Sequence, residues 1–265
     1  MTQESVLARR AFVFVSDIHL QPARPDRTRA FVDFLASLLE APRPAGLFVL
    51  GDLFDVWLGK SSLAEPAFAP VFSALRSLAA LGVQIAVFRG NRDFLLDGRF
   101  SRRAAVKVVE EGLSLPSIGA YLCHGDRLLV NDRAHQRLRW ILRSAPVKAL
   151  ADLVPSSVVA CAARWLRGRS DVAARRFRVQ RLRFPEAVLG RIFRGGFDVA
   201  ITGHLHEEGH LRLEVGGRWR DLYTLGAWED AGSVLAFDGE GYHFRRWPIP
   251  CGGRRDVSAC SGASS

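Results

Sequence analysis

The chain has 265 residues, 48% hydrophobic and 24% charged, with 17 Phe and 6 Trp; this is ample for a substantial core and excludes wholesale disorder or a collagen-like fibre. Its net charge of +10 is concentrated: residues 131–194 hold 15 Lys and Arg against Asp132, Asp152, Asp171 and Glu186, a net +11, so the remainder nearly cancels. No run approaches the ~18 apolar residues that span a bilayer, and the first ten residues, with Glu4, Arg9 and Arg10, lack the apolar core of a secretory signal, so a cytoplasmic protein is expected.

Along the chain, five short apolar runs rich in Val, Phe, Ile and Leu read as buried strands, each ending at a polar residue able to bind metal. They are residues 11–15 before Ser16-Asp17, 46–50 before Gly51-Asp52, 83–88 before Gly90-Asn91, 119–123 before His124, and 197–201 before Gly203-His204. Between the first strands, residues 27–40 carry Phe31, Phe34, Leu35, Leu38 and Leu39 on one helical face, and residues 68–81 carry Phe68, Val71, Phe72, Leu75 and Leu78. This alternation predicts an α/β fold. Residues 131–195 show helix-period apolar positions broken by Pro146 and Pro155 and are expected to form an inserted helical cap, leaving residues 1–130 and 196–250 as the core. The segments 210–215, 219–225, 233–237 and 242–247, punctuated by Gly216-Gly217 and Asp238-Gly239, read as antiparallel hairpins. Residues 251–265 are rich in Gly, Ser and Ala and are expected to be a disordered tail. Cysteines at 123, 161, 251 and 260 form no Cys-x-x-Cys pair, which speaks against a disulfide framework or a thiolate zinc site; Cys123 reads as a small core residue.

The strand tips offer Asp17 and His19, Asp52, Asn91, His124, and the pair His204 and His206. Carboxylate, amide and imidazole donors without thiolate suit divalent Mn, Fe or Zn. Two such ions sharing one Asp would hold a phosphate between them and lower the pKa of a bridging water, the requirements for hydrolysing phosphorus esters. On an extended segment residues i and i+2 point the same way, so Asp17 with His19, and His204 with His206, are expected to reach one centre. Taken singly, each block also reads as a surface pair, a core histidine or turn chemistry. Joint occurrence after five separate strands favours the metal reading.

Asp17-x-His19, Gly51-Asp52-Leu53-Phe54-Asp55, Gly90-Asn91-Arg92-Asp93, His124-Gly125-Asp126 and Gly203-His204-x-His206 together resemble the calcineurin-like metallophosphoesterases. Within that superfamily the longer blocks at 51–59, 90–96 and 225–233, with Asp132 and the run 136–139, are similar to the UDP-2,3-diacylglucosamine diphosphatase family of lipid A biosynthesis. The resemblance implies a β-sandwich flanked by helices, a pair of Mn2+ ions, and a helical lid over an acyl-chain groove. Asp17, His19, Asp52 and His206 would hold one ion and Asp52, Asn91, His124 and His204 the other. The resemblance further assigns Asp52, Asn91, Arg92, His124 and His204 to catalysis. Substrate contacts would fall to Asn91, Arg92 and His204, with Asp132 and Arg169. The departures are Lys60-Ser61-Ser62 in place of an acidic stretch, an extra Asp97, Leu205 and Glu207-Glu208 around the last histidine, and His135 where the family tends to have Tyr.

Phosphoesterases of this superfamily often carry Asn-His at the third block, where the His can protonate an alkoxide leaving group. Here the position is Arg92. A guanidinium is no acid near neutral pH but neutralises phosphate charge, which suits a phosphate that departs unprotonated from a diphosphate. The alternative is a local salt bridge from Arg92 to Asp93.

The basic segment admits three readings: a solvated face; a nucleic-acid surface, for which no recognition motif is present; and attachment to an anionic membrane. In the last, Val158, Val159, Ala162, Trp165 and Leu166 interleave with Arg164 and Arg167. A lipid substrate makes the third the natural reading, with the protein peripheral on the inner membrane. The rivals to hydrolysis of the UDP-linked lipid are a phosphoesterase of other specificity and a non-catalytic basic scaffold, which would require gaps in the ligand set.

Overall fold

In the computed structural model, residues 11–126 and 186–250 are described. The first strands are short and buried on both faces, which is why they read as unbroken apolar runs. In β1 (Phe12–Val15), β2 (Gly46–Val49) and β3 (Gln84–Phe88), alternate side chains face opposite ways. Val13, Val15, Leu47, Val49, Ile85 and Val87 enter a core shared with helices. Phe12, Phe14, Phe48, Ala86 and Phe88 enter a second core that also contains Ala120, Leu122, Val199 and Ile201 from another sheet. The strand period of two thus feeds two cores at once.

The helices over the first core are α1 (Pro25–Ser37), α2 (Lys60–Leu63), α3 (Ala69–Ala80) and α4 (Gly98–Ala104). Helix α1 starts two residues before the expected boundary, with Pro25 in its first turn, and ends three residues early. Its buried face is Ala30, Phe31, Phe34 and Leu35, with Arg27 and Thr28 beside them. Helix α4 lies outside the periodic signal because it is seven residues long. Asp97, one of the departures from the family pattern, caps it, its Oδ1 accepting from Arg99 N at 2.9 Å.

One sheet has six strands in the order β11-β10-β1-β2-β3-β4, with β4 (Lys107–Val109), β10 (Ala231–Phe237) and β11 (Tyr242–Pro248). The other has five, β5-β6-β7-β9-β8, with β5 (Gly112–Leu115), β6 (Ala120–Cys123), β7 (Val199–His206), β8 (Gly209–Val215) and β9 (Arg218–Gly226). Strands β1 to β4 are parallel, as are β6, β7 and β9. The two expected hairpins form, but they lie in different sheets: β8–β9 in the second and β10–β11 in the first. The chain crosses between them through Ala227 to Asp230, anchored by the buried Trp228, which meets Phe31 and Phe34 edge-on. Helix α5 (Glu186–Arg194), inside the span expected for the cap, lays Leu189 and Phe193 on Ala200, Leu222 and Cys123 of the second sheet. The layers are therefore helix, sheet, sheet, helix, a β-sandwich flanked by helices. The rest of the expected cap, residues 131–185, and the tail at 251–265 lie outside the described residues. Among the described residues no helix is long and apolar enough to cross a membrane.

Phe14 is fully buried between the sheets, its ring stacked on Phe48 at 5.4 Å. Phe14→Ala is expected to cost about 3–5 kcal/mol, read as a lower denaturation midpoint at unchanged slope in urea titration.

Candidate metal centre

The parallel strands of both sheets deliver their following loops to one edge. There Asp17, His19, Asp52, His204 and His206 all have left-handed backbone, with φ of 54°, 52°, 52°, 71° and 61°. The expectation that Asp-x-His and His-x-His act as extended i, i+2 pairs is therefore corrected: a left-handed kink at each ligand position aims the side chains. Strand β7 likewise does not stop before Gly203 but runs to His206, with its register against β9 shifting between Thr202 and His206. Non-glycine residues in this region cost of order 1 kcal/mol or more each. Backbone hydrogen bonds between loops hold them there: Asp17 N to Gly51 O at 3.1 Å, His19 N to Asp52 O at 3.0 Å, Gly203 N to His124 O at 3.0 Å and Trp228 N to Asp17 O at 3.1 Å. Gly90 and Gly203 are required by crowding, since a Cβ would overlap Asp52 Oδ1 at the first and Ser16 Oγ at the second.

All seven expected residues come to this edge. Asp17, His19 and His206 form one group whose candidate ligand atoms lie within 4.8 Å of one another, and Asp17, Asp52 and His124 form a second. His206 Nε2 is 3.3 Å from both Asp17 Oδ1 and His19 Nε2. His124 Nε2 is 3.1 Å from Asn91 Oδ1 and 3.8 Å from Asp52 Oδ1. The His204 ring stands 5.0 Å from that of His124, and its backbone N–H donates to Asp17 Oδ2 at 2.8 Å.

These contacts fit a divalent cation better than a closed hydrogen-bond network. Asp17 Oδ1 is buried with no well-formed hydrogen bond, its polar neighbour His206 Nε2 standing at 3.3 Å, a costly state for a carboxylate unless a cation faces it. His124 Nδ1 donates to Leu50 O at 2.8 Å, which fixes the ring and turns Nε2 toward the cluster. There Nε2 faces Asn91 Oδ1 at 3.1 Å, a separation that two ligands of one ion also show. Nitrogen and oxygen ligands about 2.1 Å from one ion stand roughly 3–3.5 Å apart, close to the separations observed here. The donor set, free of thiolate, matches hard to borderline divalent metals.

The electrostatics agree. Burial would raise the Asp17 carboxyl, but the His206 contact and the His206 charge lead the opposing effects that outweigh it and hold Asp17 below the usual carboxylate range. Burial drives His19 well below its ordinary value, aided by the Arg92 charge, which keeps it a neutral ligand. For His206 burial is overcome by Asp17, and the net shift is upward. Burial raises Asp52, with the Asp17 charge adding to it.

Around the cluster stand supporting residues that carry no metal-ligand pattern, of which Arg92 alone has a role expected from the sequence. Fully buried Asp93 accepts from Gly90 N at 2.8 Å and Phe54 N at 3.3 Å, tying two ligand loops together; burial, then the Asp52 charge, pushes its carboxyl up to about 7. Arg92 pairs with Asp55, Nη1 to Oδ1 at 2.6 Å. Buried Arg27 reaches the carbonyls of Ile18 and His19, each at 3.3 Å. Glu229 Oε1 lies 3.9 Å from His206 Nδ1. Of the departures near the last histidines, Glu207 is exposed and Glu208 pairs with Arg246 at 2.9 Å; Ser62 takes a structural role, its Oγ accepting from Leu58 N at 2.8 Å. The proposed substrate contacts Asp132 and Arg169, and His135, lie outside the described residues.

The profile of the calcineurin-like phosphoesterase family matches residues 11–208. The chain is 33% identical over 234 residues to a UDP-2,3-diacylglucosamine hydrolase of Stutzerimonas stutzeri (strain A1501), covering 87% of this chain and 96% of that protein. It is 34% identical over 242 residues to the protein of the same name from Stenotrophomonas maltophilia (strain K279a), again covering 87% and 96%. Among solved structures it is similar to the Pseudomonas putida nuclease MPE at 16% identity and a TM-score of 0.41, covering 91% of this chain and 92% of that one.

Two outcomes are expected. In calorimetric titration with Mn2+, Asp17→Ala, which removes a carboxylate common to both donor groups, is expected to weaken binding more than His206→Ala, which removes an imidazole from one group only. Asp93→Ala strands two buried amides and lowers stability by about 1–3 kcal/mol per amide, measured by urea denaturation of the metal-free protein.

Proposed function

The chain belongs to the calcineurin-like phosphoesterase family, and on that footing we propose that it hydrolyses the pyrophosphate bond of UDP-2,3-diacylglucosamine to UMP and 2,3-diacylglucosamine 1-phosphate. The observation that carries this reading is the pairing of an intact donor cluster with 33% identity, over 87% of the chain, to a protein named for that substrate. In the balanced reaction a water oxygen adds to the α-phosphorus, the bond from that phosphorus to the bridging oxygen breaks, and the sugar phosphate leaves with the bond's electron pair.

Two ions, in our reading Mn2+, would be held by Asp17, His19, Asp52 and His206 on one side and by Asp52, Asn91, His124 and His204 on the other. When bound, divalent cations supply Lewis acidity and a water of lowered pKa. The chain's own groups supply the rest. Arg92 stands beside the cluster, always protonated, and neutralises charge developing on the phosphates without a proton transfer, while His204 helps to stabilise that charge from within the cluster. Asn91 and His204 orient the phosphate. Asp132 and Arg169 are assigned to substrate contacts. The concentration of arginine in residues 131–194 and the lipid nature of the substrate support a peripheral attachment to an anionic membrane face.

The test is direct. The Mn2+-loaded protein is expected to release UMP from UDP-2,3-diacylglucosamine, to place 18O from labelled water in the UMP, and to lose activity to a chelator and regain it with Mn2+. Turnover of an aryl phosphodiester alone would assign the chain to a phosphoesterase of other specificity.

A further inference from the structure

The third ligand loop carries an arginine, and the second loop carries the carboxylate that holds it. Asp55 Oδ1 accepts from Arg92 Nη1 at 2.6 Å, with both side chains largely withdrawn from solvent. Arg92 is also fixed at its root: its backbone N–H donates to Asp52 Oδ1 at 2.9 Å, and its Nε lies 3.9 Å from Asp52 Oδ2. Asp55 is fixed in turn, its N–H donating to Leu20 O at 3.0 Å beside the parallel bridge between Leu20 and Phe54. The neighbouring Phe54 N–H is bound by Asp93. The guanidinium is therefore held by the second loop, which is itself tied to the first and third, next to the donor cluster and close enough for its charge to act on His19, Asp52 and His206.

We propose that Asp55 is a positioning residue that holds Arg92 against the departing phosphate, and that this brace sets the preference for a pyrophosphate over a diester whose leaving group needs no such help. The inference rests on the reading in the preceding section. An unbraced arginine has four rotatable bonds and must be ordered each time it meets substrate; one already held contributes at the reacting geometry without that loss. As the bridging P–O bond breaks, a sugar phosphate gains a negative charge that a guanidinium neutralises, whereas a nitrophenolate disperses the same charge into its own ring. Loss of the brace should therefore fall selectively on the first kind of leaving group.

The experiment compares wild type, Asp55→Asn, Asp55→Glu, Arg92→Ala and the double variant Asp55→Asn/Arg92→Ala, all with Mn2+, on UDP-2,3-diacylglucosamine and on bis(p-nitrophenyl) phosphate. Asp55→Asn is expected to lower kcat on the UDP-lipid about 10- to 100-fold with a much smaller change in KM, and to lose several-fold less on the aryl diester. Mn2+ affinity by calorimetry should be unchanged, Asp55→Glu should recover most of the loss, and Asp55→Asn should add nothing once Arg92 is gone. Equal losses on both substrates, weakened Mn2+ binding, or an undiminished effect in the Arg92→Ala background would overturn the inference. If Asp55→Asn does not fold, Asp55→Glu is read alone, with a partial loss confined to the UDP-lipid expected and an equal loss on both substrates decisive against. A wild-type protein that does not turn over the UDP-lipid would instead overturn the functional reading itself.

Discussion

Two desolvated carboxylates, Asp17 and Asp52, whose charges oppose each other, govern the arrangement of everything near them. Such a pair is expensive unless positive charge or hydrogen-bond donors surround it. The surroundings comply. His19, His124 and His206 act on Asp17, backbone donors from His204 and Arg92 reach the two carboxylates, and the Arg92 guanidinium flanks Asp52. The left-handed backbone at five positions belongs to the same bargain, because only kinked loops bring these groups within a few ångströms of one another, and the inter-loop hydrogen bonds keep the kinks from relaxing.

Much of this was legible in the linear chain. Buried parallel strands leave unbroken apolar runs, and the polar residue that ends each run marks the functional edge, so Asp17, Asp52, Asn91, His124 and His204 stand out in the linear chain. What stayed hidden did so for physical reasons. The backbone conformation at Asp17 and His206 depends on partners far away in sequence, and nothing in a local tripeptide announces a positive φ. Helix α4 and strands β4 and β5 are too short for a period to register. The separation of the two hairpins into different sheets depends on Trp228 seeking Phe31 and Phe34, a contact about two hundred residues apart in the chain. The roles of Asp55, Asp93 and Arg27 arise only where loops meet.

Four of the departures from the family pattern, Asp97, Ser62, Glu208 and Leu205, are absorbed by local structure away from the donor atoms. Asp97 caps a helix, Ser62 satisfies a loop amide, Glu208 takes Arg246, and Leu205 packs toward α5 while the histidines on either side face the cluster. Arg92 is the position where chemistry and sequence meet most closely. Its pairing is with Asp55, so the guanidinium is tied to a neighbouring loop and held at the cluster.

The donor atoms are divided between the sheets. Asp17, His19, Asp52 and Asn91 follow strands of the six-stranded sheet, while His124, His204 and His206 follow or end strands of the five-stranded one. A cation held among them is thus a rivet through the open end of the sandwich, and its binding energy is shared with the cohesion of the two halves. Catalytic competence and mechanical integrity at that end become a single quantity, so that a cell starved of the metal would lose rigidity in this protein along with turnover.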